Sequence, residues 1–155
     1  MVPTPTPVPL VLWGGGALSL ILGLNDLPAG WSLTSQTQTA EADYAERRFD
    51  STTQSGPTLF IIQSWVHPTE EGARARYDSF LNLITVSVTE NVVLDGTIPG
   101  LVSYLAFESG TDGVVRPQVY FQITNAVIMV GYEGGTSQDA IDAANLAATK
   151  LLANL

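Results

Sequence analysis

The stretch from Leu101 to Glu133, LVSYLAFESGTDGVVRPQVYFQITNAVIMVGYE, constrains this chain more than any other. It holds three runs rich in β-branched and aromatic residues, the composition that suits a pleated surface. The runs are Val102 to Glu108, Val114 to Ile123 and Ala126 to Tyr132. Ser109 to Gly113 is a Gly-bearing loop of hairpin length, and Thr124-Asn125 is a two-residue connection. Asn tolerates positive φ and so suits a tight primed turn. The pattern predicts an antiparallel three-strand meander, with the rest of the chain as its cover.

The flanking sequence supplies that cover. Trp31 to Thr39 and Arg47 to Thr53 read as two strands, with Glu41 to Glu46 a short polar segment, read as a helical turn. Thr58 to Val66, TLFIIQSWV, is nearly continuous in apolar residues, as expected of a central strand with both faces covered. A helix follows Pro68. Thr69 is its N-cap, Glu70 and Glu71 sit in its first turn, and Ala73, Tyr77, Phe80, Leu81 and Ile84 form its apolar stripe. Ile84, Val86 and Val88 then alternate, which places the helix end near Leu83 to Thr85. Asn91 to Leu94 is a short strand. After the meander, Thr136 or Ser137 caps a last helix whose buried stripe is Ile141, Ala144, Ala148, Leu151, Leu152 and Leu155.

The amino end has a different character. Residues 2–9, VPTPTPVP, favour extended polyproline II and read as a semi-rigid spacer. Leu10 to Leu24 is uncharged, but Gly14-Gly15-Gly16 breaks it, and a membrane span needs about 20 apolar residues. It reads as a Gly-rich joint and a short buried helix, Ala17 to Leu22. The expected organisation is residues 1–16 as linker and joint, then one domain over 17–155. Its class is α+β: a mainly antiparallel sheet of about six to seven strands, covered by two long helices and the short N-terminal one.

Charge and composition narrow the partners. The net charge of −9 and a single lysine, Lys150, argue against nucleic acid and against anionic membrane surfaces. There is no cysteine, which removes disulfides and thiolate chemistry.

Two pieces together resemble known families. Leu24-Asn-Asp-Leu-Pro-Ala-Gly-Trp31 is similar to the DLPAGW-type entry that follows a short apolar helix in exported actinobacterial and Chloroflexi lipoproteins. The meander and terminal helix, with Gln118-Val-Tyr-Phe121 and Ala126-Val-Ile-Met-Val130 as strands, resemble PsbP-like domains, LpqN-type lipoproteins and, more loosely, the external sensor domain of PknH-type kinases. The resemblance covers residues 17–155 and implies an extracytoplasmic accessory or sensor module, with no shared catalytic residues to transfer. No lipobox Cys is present. A membrane tether would run through a segment upstream of residue 1.

Candidate chemistry is sparse. His67 is the only histidine, and no G-x-S-x-G elbow exists to pair with it. One His without a second His or Cys makes a poor metal centre. Asp112 in SGTDG lacks the carboxylate spacing of a calcium loop. Glu108 and Glu133 end different strands and could meet as a carboxylate pair. Gly14-Gly15-Gly16 matches no nucleotide-binding loop.

The remaining candidates are contact residues. Arg47-Arg48 is the only basic pair and suits a carboxylate or phosphate, although Glu41, Asp43 and Glu46 lie close. Tyr120 and Phe121 must point to opposite faces of one strand. One is expected under a helix and the other open to a partner. Trp65 is a further contact candidate.

The sequence therefore reads as a non-enzymatic, exported or surface-tethered binding module with neither cofactor nor metal. It would present a sheet face or a helix–sheet groove to a protein or a small apolar ligand. The alternative is a structural subunit of an envelope assembly attached through its N-terminal arm. A third reading is a hydrolase of unrecognised type.

Overall fold

The structure, a computed structural model, describes residues 13–53, 56–87, 93–95, 97–109 and 112–153, with side chains left aside at 85–87, 93–95 and 107–109. The expected polyproline run and residues 10–12 lie outside it, as do parts of the loops at 54–55, 88–92 and 110–111. Two 3-10 turns, Ala17–Leu20 and Leu24–Asp26, lead into β1 (Trp31–Gln38), β2 (Tyr44–Ser51), β3 (Leu59–Val66) and α1 (Glu70–Ser87). Then come β4 (Val93–Asp95), β5 (Val102–Ser109), β6 (Val115–Ile123), β7 (Ala126–Glu133) and α2 (Ser137–Ala153).

The strands form one seven-stranded sheet in the order β1-β2-β3-β7-β6-β5-β4. Every neighbouring pair is antiparallel. The meander is present as β5-β6-β7, and β7 returns to pair with β3 at the centre of the sheet.

Each face carries a helix, and the alternation along the strands decides what meets it. On one face α2 lays Ala140, Ala143, Ala144, Ala147, Ala148 and Leu151 against Leu105, Val119, Phe121, Ile128 and Val130. The segment 17–27 covers the neighbouring part of that face, over Ala45, Phe49, Phe60 and Ile62. On the other face α1 lays Ala73, Tyr77, Phe80, Leu81 and Ile84 against Tyr104, Tyr120, Val127, Met129, Ile61 and Trp65. The caps read from the sequence hold. The Gly72 amide donates to Thr69 Oγ1 at 3.0 Å. Thr136 and Asp139 bond reciprocally, Asp139 N to Thr136 Oγ1 at 3.2 Å and Thr136 N to Asp139 Oδ2 at 2.7 Å.

Four expectations change. The helix over Ala17 to Leu22 is a single 3-10 turn, because the sheet takes its backbone groups. Ala17 N donates to Ala42 O at 2.7 Å, and Ser64 Oγ donates to Ala17 O at 2.7 Å. Strand β2 begins at Tyr44, so the segment 41–46 is not helical. The chain reverses instead through Ala42 at φ 59°, with Thr39 Oγ1 donating to Asp43 Oδ1 at 2.6 Å. Helix α1 runs on to Ser87 because Ile84 sits one turn beyond Phe80 and continues its apolar stripe.

The fourth change is in the β6–β7 turn. Its positive φ, 47°, falls on Thr124 rather than Asn125. Asn125 serves through its side chain. Its amide nitrogen donates to Trp13 O at 3.0 Å and His67 O at 2.7 Å, and its oxygen accepts from Trp13 N at 2.6 Å. The glycine run beside Trp13 has no positive φ. It works by close approach: a Cβ on Gly16 would stand 3.2 Å from Ala42 Cβ, and one on Gly15 3.0 Å from Trp13 Nε1. Trp13 to Asp26 thus belong to the domain's own packing.

Candidate functional site

At the end of the sheet where β6 turns into β7, the two helical layers stop short of each other. They leave a cleft of ≈ 510 Å³. One wall is the first turn of α1, with Glu70, Glu71 and Arg74; the floor is Gln122, Ile123 and Thr124; the far wall is Leu101, Val102 and Leu152. A second hollow of ≈ 280 Å³ continues it along α2 past Ile98 and Thr149, sharing Gly100, Leu101 and Leu152. Val102 is 39% exposed and Leu152 55%, an apolar surface opened rather than buried.

Two buried polar side chains fix these walls. Ser103 Oγ accepts from Ile98 N at 2.7 Å, which holds the loop before β5, and Gly100 turns that loop at φ 80°. Gln122, 7% exposed, donates its amide nitrogen to Glu70 O at 3.2 Å and Thr124 O at 3.0 Å. Both partners are carbonyls, so the assignment of nitrogen and oxygen in Gln122 follows from the chemistry. Gln122 shares its face with Tyr120 and lies under α1. Its polarity at an inward position of β6 was the one sequence signal for this site. The other lining residues come from distant segments, and no local pattern marks them.

A second open surface lies on the α1 face beyond that helix, over β1 and β2. Its centre is Glu46, whose side chain is mostly buried. The Glu46 carboxylate accepts from Arg48 Nε at 2.7 Å, from Tyr44 Oη at 3.0 Å and from the Gln63 amide. Burial alone would raise the Glu46 carboxyl, but the bonds from Arg48, Gln63 and Tyr44 outweigh it and hold it below its ordinary value. Burial, with Glu46 beside it, pushes the Tyr44 phenol up to about 12.

The residues singled out in the sequence do not converge on one site. Tyr120 and Phe121 do face opposite ways, but neither is open: Tyr120 is 9% exposed under Phe80, stacked on Tyr104 at 4.9 Å, and Phe121 is fully buried in the α2 layer. Helices cover both faces of β6, which corrects the expectation that one would be free. Trp65 is half-buried between Tyr44 at 5.4 Å and Phe80 at 4.7 Å. Arg48 lies on the open face, bound to Glu46. Arg47 lies on the other face and donates to Ile21 O at 3.0 Å, Leu22 O at 3.1 Å and Gln36 Oε1 at 2.8 Å. Alternation along β2 separates the pair, and Arg47 pins the 17–27 segment.

The titratable candidates also find structural places. His67 lies near the Gly-rich joint with Nε2 buried and without a hydrogen-bond partner among the described residues. Burial, with Arg76 nearby, lowers its pKa, against the pull of Asp43. Ser64, three residues before it, bonds to Ala17 O on the α2 face. Asp112 accepts from Val114 N and Arg116, led by the Arg116 bond at 2.8 Å, and its pKa falls to about 2. Glu133 lies 3.6 Å from Arg116; the side chain of Glu108 lies outside the described residues. Among the described residues no three His, Cys, Asp or Glu side chains group so as to hold a metal ion. No described helix is long and apolar enough to cross a membrane.

Compared with protein-family models, with curated proteins and with solved structures, the chain matches none.

Proposed function

We propose that the chain is a non-enzymatic, extracytoplasmic binding module that receives a small, largely apolar ligand in the cleft at the end of its sheet. One observation carries the reading. Val102 and Leu152 stay exposed, beside a half-buried Leu101, around a hollow of ≈ 510 Å³, within the range of small-molecule sites, while Ser103 and Gln122 hold its walls in place. Such a site is pre-formed, so little ordering cost opposes binding. The DLPAGW-type entry and the Pro-Thr run support the extracytoplasmic part, as does the resemblance to PsbP-like modules.

The test is a heteronuclear NMR titration with a neutral apolar probe such as phenylbutanol. Shifts should concentrate at residues 100–102, 122–124 and 148–152, and Val102→Trp should abolish them by filling the cleft. Shifts spread over the surface, or none at all, would overturn the reading.

The open face over β1 and β2 favours a second reading, a protein partner. Tyr44, Arg48 and Trp65 gather there, residue types enriched at interface centres. Arg48→Ala should then weaken capture of that partner without lowering stability by more than about 1 kcal/mol. Attachment to a larger assembly through the N-terminal arm loses ground, because Trp13 to Asp26 pack on their own sheet.

A further inference from the structure

We infer that the cleft selects ligands carrying a protonated amine on an apolar body. The inference rests on the cleft being the binding site and adds the charge of what enters it. Gln122 is more than nine-tenths buried, and both hydrogens of its amide are committed to the carbonyls of Glu70 and Thr124. Its Oε1 makes no hydrogen bond among the described residues and is not among the atoms sealed from solvent, so a residue that lines the cleft keeps an unused acceptor. An amide oxygen that solvent reaches and no described protein donor occupies is free to accept from a donor on the occupant.

The charge at the rim agrees. Glu70 and Glu71 line the cleft, and neither makes an ion pair among the described residues. The one cation on the rim, Arg74, is matched by Asp78 at 3.1 Å. The first turn of α1 on its own would favour an anion. Two carboxylates in that turn exceed the half charge of the helix end and reverse the preference. An ammonium group can donate to Gln122 Oε1 and lie within the field of Glu70 and Glu71, while its apolar body rests on Leu101, Val102 and Leu152. An anionic head would meet two carboxylates and an acceptor.

Calorimetric titration of the full chain at pH 7 and low salt, with phenylbutylamine, phenylbutanol and phenylbutyrate, tests this. The amine should bind about tenfold more tightly than the alcohol, and the carboxylate most weakly. The exposed double variant Glu70→Gln/Glu71→Gln, which leaves the core untouched, should shrink the amine's advantage to about twofold or less, as should raised salt. If the alcohol binds as well as the amine, or if the double variant keeps the full preference, the amine inference fails and the cleft reading stands. If none of the three binds, both fail together.

Discussion

Asn125 shows how much one side chain can organise. It is 2% exposed and ties three distant points of the chain, Trp13, His67 and the β6–β7 turn. Removing it would strand the Trp13 amide and two carbonyls, each with a desolvation cost of about 1 kcal/mol or more. Asn125→Ala should therefore lower unfolding free energy by about 2–3 kcal/mol in a denaturant titration. Trp13 fluorescence should shift to the red as its anchor goes. A stability loss below the error of the measurement would refute the role assigned to it.

Its neighbour carries the opposite prediction. Thr124 is a β-branched residue held at φ 47°, where L side chains are strained. Thr124→Gly should raise stability by up to about 1 kcal/mol by relieving that backbone, less whatever the bond from Thr124 Oγ1 to Asn125 contributes. A lower melting temperature in calorimetry would count against the strain. The sequence pointed to this turn correctly and to the wrong residue within it. Asn is the expected carrier of positive φ, but only the folded chain brings Trp13 and His67 within reach of its amide.

At the scale of elements, α2 is set apart by its alanines. Five of them, with Leu151, make its buried face, and short side chains let the helix axis approach the sheet closely. Ala147 has no exposed surface. Ala147→Leu should push the helix off the strands and cost about 1–3 kcal/mol of stability, read by chemical denaturation. Unchanged stability would mean that the layer has slack.

The strands were largely legible. β-branched and aromatic runs joined by two compact turns located the meander, and the apolar run of β3 announced a central strand, because burial on two faces leaves no polar alternation to see. What misled was short windows. Ile84, Val86 and Val88 fit a strand period, yet Ile84 also completes the stripe begun by Ala73 and Tyr77, and tertiary packing decided for the helix. Residues 41–46 read as polar and so as a helical turn, because the sequence alone does not show that Glu46 is buried by its own hydrogen bonds.

Considered whole, the molecule has one closed half and one open half. Both faces of β7, β6 and β5 lie under helices, while β1 is exposed along almost its whole length. The cleft follows from this layering, since it forms where the start of α1 and the end of α2 lie on opposite faces at one end of the sheet. No linear motif encodes such a place, which is why only Gln122 among its residues carried a sequence signal. The exposed contact surface expected at Tyr120 and Phe121 was out of reach for the same reason: which strands a helix covers depends on crossover geometry, not on the strand's own pattern.

Stability at high pH belongs to this scale. Burial, followed by Glu46, raises the Tyr44 phenol to about 12, and burial, with Asp139 and Asp142, raises Tyr132 to about 12. Tyr104, buried among Tyr120 and Tyr77, is raised as well. A raised folded pKa contributes stability that is complete below the unfolded value near 10 and is lost as pH climbs through the folded value. Stability should hence fall between about pH 10 and 12, and phenolate absorbance should appear together with unfolding rather than before it. Tyrosines that titrate near 10 in the still-folded protein would contradict this.

One contact joins the N-terminal segment to the last helix: Lys150 Nζ lies 2.7 Å from Asp26 Oδ2. Lys150 is also the only lysine in the chain. Its amine is therefore a single-site reporter. An acylating reagent that consumes side-chain amines has one target of that kind, and the contact with Asp26 keeps that target engaged and half-covered. The rate of labelling at Lys150, followed by mass spectrometry, then measures how often the 17–27 segment lifts away from α2, and Asp26→Asn should accelerate it several-fold.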